Sequence, residues 1–236
     1  MTKIYDILLQ DIRFEEGLHA CMHCGVCTAI CPASEFYKYD PRQICGLVQN
    51  KDDEKLIELL KSDTIWYCGE CMSCKTRCPR GNVPGLVIMA LRKVSQELGY
   101  FTESEKGRQQ FALKRVIGEN IVNTGYCVHV DIVDPKMHME QGPVWEWYRA
   151  NVKDVSDRLG ANYNGNGAGA LKKVSEKDIE EIRKIFEATG ANNLFDKIEL
   201  YSKEKAKKMN IGFEDEGINN EYFYHVYLEN KNNHQN

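Results

Sequence analysis

The chain has 236 residues, 28% of them charged, and a formal net charge of -4. This length and composition suit one moderate or two small globular domains, and the mildly acidic balance argues against a general nucleic-acid-binding protein. No apolar run approaches the roughly 20 residues of a membrane-spanning helix, and the N-terminal segment lacks the features of a secretory signal. We therefore expect a cytoplasmic protein that does not bind nucleic acid and does not insert into a membrane.

The first half of the chain has the signals of short amphipathic helices. Asp40 followed by Pro41 is a typical helix start, and Gly99 suits a helix end. Thr102 and Glu105 form the pattern of a capping box. With apolar residues at helical spacing, these signals predict helices over residues 6–18, 41–50, 52–62, 84–99 and 102–123.

The second half is predicted to be less regular. Residues 124–151 are aromatic and interrupted by two prolines, and the Gly- and Asn-rich stretch 160–170 has the composition of a flexible linker. A helix is predicted after Ser175, and residues 221–230 have the composition of a strand. The sequence thus predicts a helical domain at 1–124, an irregular extension with the Gly/Asn-rich linker at 125–173, and a small helical segment with that strand at 174–236.

Eight of the ten cysteines form two copies of the pattern C-x2-C-x2-C-x3-C-P. Disulfides rarely persist in a reducing compartment, so this clustering indicates metal ligation. The first copy contains Cys21, Cys24, Cys27 and Cys31 and ends on Pro32, and the second contains Cys68, Cys71, Cys74 and Cys78 and ends on Pro79.

The spacing within each copy distinguishes a structural zinc site from an iron–sulfur cluster. A structural zinc site needs four ligands, usually two close pairs from separate loops, and a zinc-binding scaffold protein is the alternative from another class. Three thiolates at a constant three-residue step instead surround one corner of a 4Fe–4S cluster, and the fourth cysteine of such a run ligates the other cluster in two-cluster ferredoxins. The repeat therefore predicts two 4Fe–4S clusters.

This exchange rule gives each cluster a predicted ligand set. One cluster is expected to be held by Cys21, Cys24, Cys27 and Cys78, and the other by Cys68, Cys71, Cys74 and Cys31. With every iron ligated by cysteine, no position is left open for a substrate. No catalytic residue is predicted, and the expected activity is electron transfer alone.

The cysteines outside the repeat are not predicted to be ligands. Cys45 is on the apolar face of a predicted helix, where a buried free thiol is the ordinary state. Cys127 and His129 are two residues apart, a poor spacing for one metal site. Trp66 and Tyr67 precede the second copy, where they either shield a cluster from water or are ordinary aromatic residues of the core or of a subunit contact.

The two copies and their surroundings resemble a known family. The stretches "EGLHACMHCGVCTAICPAS" and "DTIWYCGECMSCKTRCPRGNVPGLVIMALR" look most like the iron–sulfur C subunit of heterodisulfide reductase. The resemblance covers about residues 15–120 and implies a mainly α fold, the alpha-helical ferredoxin domain. It also implies a hetero-oligomer, in which this chain carries electrons between two other subunits, a flavoprotein and a protein with catalytic noncubane clusters.

Weaker motifs outside the cysteines narrow the resemblance. "GYFTESEKGRQQFALKR", "TGYCVHVD" and "GPVWEWY" are similar to the longer C subunits of heterodisulfide reductase-like complexes in sulfur-oxidising microbes. That likeness implies a role in sulfur oxidation. The alternatives within redox biology are a methanogen-type heterodisulfide reductase and the iron–sulfur subunit of a quinone-linked dehydrogenase.

Overall fold

A computed structural model describes residues 3–132, 134–135 and 142–227. The described residues form helices and no strand, so the predicted mainly α class is confirmed. The α-helices are α1 Ile4–Leu8, α2 Ile12–Gly17, α3 Val26–Ala29, α4 Ala33–Phe36, α5 Pro41–Gln49, α6 Asp53–Lys61, α7 Pro84–Glu97, α8 Glu105–Leu113, α9 Glu119–Thr124, α10 Pro143–Ala150, α11 Val152–Arg158, α12 Glu176–Ala188, α13 Ala191–Met209 and α14 Glu221–Tyr227. Short 3-10 turns cover Thr64–Tyr67, Lys75–Arg77 and Tyr100–Glu103, and a π-helical turn covers Lys114–Gly118.

The described residues fold into two compact units, one of residues 1–110 with 200–205 and the other of residues 111–199 with 206–236. These limits differ from the three segments read from the sequence, which remain a prediction about domains. None of the helices in the described part of the chain combines the length and apolarity that a bilayer crossing needs.

Helix α7 lies at the centre of the first unit. Its residues Val87, Ala90 and Leu91 are fully buried and pack in one core with apolar side chains of α5 and α6. Helix α2 approaches α7 closely because Gly17 has no side chain: a Cβ atom there would lie 3.0 Å from Val87. Pro84 occupies the first position of α7, where its missing N–H costs no hydrogen bond.

The start of the helix predicted at 102–123 differs in detail from the structure. Helix α8 begins at Glu105, and its cap is Ser104, whose hydroxyl accepts a hydrogen bond from the Gly107 amide. Thr102 instead donates its hydroxyl proton to the carbonyl of Gly99. Gly99 ends the preceding helix with a φ of +77°, as its position in the sequence predicted.

The second unit is more helical than its composition indicated. The segment predicted to be irregular contains α10 and α11, and the strand predicted at 221–230 is wrong, because Glu221–Tyr227 is helix α14. The remaining residues 228–230 lie outside the described part. Tyr222 and Phe223 of α14 are fully buried against Phe111, and this aromatic contact favours the helix over the strand that the composition suggested.

The Gly- and Asn-rich stretch at 160–170 is a hydrogen-bonded loop, whereas its composition predicted a flexible linker. The Leu171 amide donates to the carbonyl of Ala161, and the Asn164 amide donates to the carbonyl of Leu171. The Asn162 side chain donates to the carbonyls of Asn166 and Ala168. Asparagine amides thus replace the backbone partners that a helix or sheet would supply.

Candidate iron–sulfur site

The eight motif cysteines line two separate cavities in the first unit. One cavity is bordered by Cys21, Cys24, Cys27 and Cys78. The other is bordered by Cys31, Cys68, Cys71 and Cys74. Each cavity therefore takes three cysteines from one copy of the motif and the fourth from the other copy.

The backbones of the two cysteine loops repeat each other. In both loops, the residues immediately before and after the second cysteine have a positive φ: His23 at 55° and Gly25 at 83° in one, Glu70 at 54° and Met72 at 57° in the other. Left-handed residues next to right-handed ones can aim successive amide N–H groups into a concavity that binds an anion, as in many iron–sulfur sites. Only one of these four residues is a glycine, so the strain of three of them must be compensated by the surrounding structure.

A buried asparagine connects the end of the second loop to the start of the first. Asn82 is 2% exposed. Its side chain accepts a hydrogen bond from the His19 amide at 2.8 Å and donates to the carbonyl of Ala20 at 3.2 Å. The neighbouring Val83 amide donates to the carbonyl of Gly17 at 2.8 Å. These bonds hold the two motifs side by side.

Glycines on two helices make room for the loops. A Cβ atom on Gly46 of α5 would lie 2.3 Å from the imidazole of His23, and a Cβ atom on Gly85 of α7 would lie 3.0 Å from the sulfur of Met72. Each cysteine loop thus packs one of its left-handed residues directly on a helix backbone. Gln49, at the end of α5, also accepts a hydrogen bond from the Cys21 amide at 2.5 Å.

The two cavities differ in charge. Two arginines, Arg42 and Arg80, border the first cavity. Among the described residues, no charged side chain borders the second, where the phenol of Tyr39 is the polar side chain besides the thiols. The backbone at the start of the second loop is instead stabilised by Arg92, whose side chain donates hydrogen bonds to the carbonyls of Ile65 and Cys68.

The thiols of the two sets have unequal acidities. Burial raises the pKa values of Cys27 and Cys74. A hydrogen bond with the Ser73 hydroxyl lowers the pKa of Cys71, which is exposed. Cysteine binds iron as the thiolate, so occupation of the site must displace protons from the buried thiols as well.

Four cysteines around one cavity are the donor set of a 4Fe–4S cluster, and both cavities offer that set. Within the described part of the chain, the motif cysteines, Cys127 and His129 included, no three His, Cys, Asp or Glu side chains are grouped closely enough to hold a single metal ion. Cys45 borders the first cavity but is buried, and burial raises its pKa. Trp66 and Tyr67 do not border either cavity; Tyr67 stacks on Tyr37.

Several residues that shape the site were missed from the sequence. Tyr39, Asn82 and Gln49 lie outside the cysteine pattern, and isolated Tyr, Asn and Gln residues give no distinct signal in a single sequence. Arg42 had a weak signal, because it follows the predicted helix start at Asp40 and Pro41.

Comparison with known proteins agrees with the cysteine chemistry. A family model described as a 4Fe-4S dicluster domain matches residues 17–82. The match supports iron–sulfur clusters and disfavours a structural zinc site.

Curated relatives match more of the chain. It is 30% identical over 194 residues to the C subunit of ferredoxin:CoB-CoM heterodisulfide reductase of Methanosarcina acetivorans, which covers 77% of this chain and 66% of that relative. It is 31% identical over 139 residues to the iron–sulfur C subunit of CoB–CoM heterodisulfide reductase of Methanopyrus kandleri, covering 56% of this chain and 70% of the relative. An iron–sulfur C subunit of the same enzyme from Methanocaldococcus jannaschii is 26% identical over 199 residues, with 84% and 85% covered.

Proposed function

We propose that this chain, which belongs to the family of heterodisulfide reductase C subunits, carries electrons through two 4Fe–4S clusters inside a hetero-oligomeric complex. The observation that carries the proposal is the pair of cavities, each bordered by four cysteines. A 4Fe–4S cluster supplies one-electron redox chemistry when it is bound. With all four thiols of a cavity used as ligands, no iron would remain open to a substrate.

We propose the same ligand sets that the exchange rule predicts. Cys78 would complete the set of Cys21, Cys24 and Cys27, and Cys31 would complete the set of the second loop. The division of the eight thiols between the two cavities supports this assignment. Asn82 would then be a positioning residue, because it holds the segments before the first loop and after the second loop together.

The position of the cavities suits exchange of electrons with partner proteins. Cys24 and Cys71, the second cysteines of the two motifs, are both exposed, so each site reaches the protein surface. Pro84 borders both cavities, which places the sites next to each other. Apolar side chains, Met22 and Val26, are exposed beside the first cavity and offer a surface for a partner.

The partners that we propose are two other subunits of a hetero-oligomer, a flavoprotein and a protein with catalytic noncubane clusters. We propose sulfur oxidation as the setting, on the motifs "GYFTESEKGRQQFALKR", "TGYCVHVD" and "GPVWEWY". Reduction of a heterodisulfide is the second candidate, and it is favoured by the names of the relatives, which are subunits of CoB–CoM heterodisulfide reductases.

Chemical analysis tests the cofactor content directly. Protein purified without oxygen should contain about eight iron atoms and about eight acid-labile sulfides per chain, as two such clusters require. A colourless protein with one or two zinc ions per chain would refute the proposal.

A pair of substitutions tests the ligand exchange. Cys78→Ala should remove the cluster of the first loop and leave that of the second, and Cys31→Ala should do the reverse. Electron paramagnetic resonance of the two reduced variants then shows different single clusters, identified with Cys24→Ala and Cys71→Ala as reference variants. If Cys78→Ala removes the same cluster as Cys71→Ala, the exchange is wrong.

The physiological setting is tested with the intact complex. Affinity purification of the tagged chain from its own host should recover a flavoprotein and a second iron–sulfur protein at fixed ratios. Turnover of that complex with a heterodisulfide and a reduced dye, but not with sulfane sulfur and an oxidised dye, would exclude the sulfur-oxidation proposal in favour of the second candidate.

A further inference from the structure

The hydroxyl group of Tyr39 is buried at the second cavity. The residue is 5% exposed and borders the cavity together with Cys31 and Cys68. Within the described part of the protein, its Oη atom has no hydrogen bond of good geometry, although the Cys68 side chain lies beside it. A buried polar atom without a partner is destabilising and needs an explanation, such as an absent ion or cofactor.

The ring of Tyr39 is held in place by its surroundings. The Ser34 hydroxyl donates to the Tyr39 carbonyl at 2.8 Å, and the Tyr39 amide donates to the carbonyl of Tyr37 at 2.7 Å. The ring meets that of Tyr67 edge-on, with 6.3 Å between the centroids. Tyr39 also precedes Asp40, the cap of α5, so its backbone is fixed on both sides.

The hydroxyl group remains a proton donor. A phenol is protonated at neutral pH, so the Tyr39 hydroxyl group can donate a hydrogen bond. A neutral donor facing thiolate sulfurs lowers the free energy of the more negatively charged, reduced state of a cluster more than that of the oxidised state.

We propose that Tyr39 donates a hydrogen bond to a sulfur atom of the cluster held by Cys31, Cys68, Cys71 and Cys74, and thereby raises the reduction potential of that cluster alone. Tyr39 is thus a positioning and tuning residue of the second site. The inference rests on the proposed function, because it needs a cluster in the second cavity. It adds an asymmetry that the repeated cysteine pattern does not contain, since no tyrosine borders the first cavity among the described residues.

Redox titration of Tyr39→Phe tests the inference. In the anaerobically purified chain, followed by electron paramagnetic resonance, the reduction equilibrium of the second cluster should shift about tenfold toward the oxidised form, or about 59 mV for a one-electron couple. The potential of the first cluster should not change. Tyr5→Phe is the matched control: its ring packs on Phe14 in the same unit and borders neither cavity, so both potentials should stay at their wild-type values.

A second measurement can refute the inference in the wild-type protein alone. After exchange into deuterated buffer, electron–nuclear double resonance of the wild-type second cluster should show a coupled deuteron, and that coupling should vanish in Tyr39→Phe. A wild-type spectrum without such a coupling overturns the inference, even if the variant loses its cluster.

The outcomes separate this inference from the proposed function. If the wild-type chain lacks the iron and sulfide of two clusters, the proposed function fails. If both clusters are present and Tyr39→Phe leaves the two potentials and the deuteron coupling unchanged, only the role of Tyr39 is refuted, and its hydroxyl group bonds to water.

Discussion

Asp40 connects the first cysteine loop to helix α5, and its replacement should loosen the first cluster. Its carboxylate accepts hydrogen bonds from the amides of Arg42 and Gln43, which caps the helix. The same carboxylate accepts a hydrogen bond from the hydroxyl group of Thr28, a residue inside the first motif. It also forms an ion pair with the guanidinium of Arg42 at 2.8 Å. Arg42 in turn borders the first cavity.

The expected magnitude follows from these contacts. Replacing an aspartate cap by alanine costs about 1 kcal/mol, and losing the hydrogen bond from Thr28 to a charged acceptor adds about 1.5 kcal/mol. The ion pair contributes about 0.5 kcal/mol, because the Arg42 side chain is 37% exposed. Asp40→Ala should therefore lower the free energy of opening this loop by about 3 kcal/mol, a change of about a hundredfold in the opening equilibrium.

The assay is the rate at which an iron chelator bleaches the protein without oxygen. For Asp40→Ala, one of the two clusters should bleach about a hundred times faster than in the wild type, because the chelator reaches the cluster only when its loop opens. Asp40→Asn should accelerate bleaching less, since asparagine caps a helix about as well as aspartate. Asp52→Ala is the control: Asp52 caps α6 by accepting from the Lys55 amide and borders neither cavity, so the bleaching rate should not change.

The stabilisation of the loop by Asp40 depends on pH, and the direction follows from the pKa of its carboxyl group. Burial alone raises the pKa of Asp40, but the hydrogen bond from Thr28 and the neighbouring Arg42 lower it by more, so the net pKa lies below the usual value. Its stabilisation is therefore complete above about pH 4 and is lost as the pH falls through the lowered pKa. Both proteins bleach faster in acid, because cluster sulfide is acid-labile. The difference in bleaching rate between Asp40→Ala and the wild type should therefore shrink as the pH falls through that acidic range. Equal bleaching of Asp40→Ala and wild type at pH 7 would refute the reasoning.

Two further predictions concern single residues. Gly99→Ala should lower the free energy of unfolding by about 3 kcal/mol, because the residue is left-handed and its new methyl group would lie 2.7 Å from the ring of Tyr201. Thermal unfolding measures this loss. The control is Gly190→Ala, at a left-handed position with open space, which should lower the free energy of unfolding by about 1 kcal/mol. In cluster-loaded protein treated with iodoacetamide, mass spectrometry should find Cys127 alkylated and Cys45 unmodified. Cys127 is exposed, whereas burial keeps the Cys45 thiol both inaccessible and protonated. Modification of Cys45 at a rate comparable to that of Cys127 would contradict the structure.

The grouping of the motif cysteines was predictable because its signal is local and repeated. The spacing, together with the exchange rule of two-cluster ferredoxins, grouped the thiols into the two sets that border the two cavities, and their role as cluster ligands stays a prediction. The cap at Asp40 with Pro41 placed the start of α5 correctly. The positive φ angles at Glu70 and Met72 were not predictable, because these residue types do not favour the left-handed region, and the enrichment of histidine there is too weak to have marked His23.

The errors lie where tertiary contacts override local composition. Residues 221–227 are rich in aromatic residues, which favours strands, but Tyr222 and Phe223 pack on Phe111 from the face of a helix. The loop at 160–170 is ordered by backbone hydrogen bonds together with those of the Asn162 side chain, and neither could be paired with their acceptors from composition. Asn82 acts across more than 60 residues of sequence, a distance at which a single sequence gives no pairing information.

The two sites share one repeated motif but are not equivalent, and this difference bears on the relay. The first cavity has Arg42 and Arg80 on its border, and cationic groups near a cluster favour its reduced, more negative state. The second cavity has the buried Tyr39 hydroxyl group on its border instead, the neutral donor that we propose for the cluster sulfur. Arginine charge is screened by solvent at the surface, whereas a buried hydrogen bond is not. Added salt should therefore lower the reduction potential of the first cluster and leave that of the second cluster unchanged. The first site would then respond to the charge of a docking partner, while the second keeps a fixed potential.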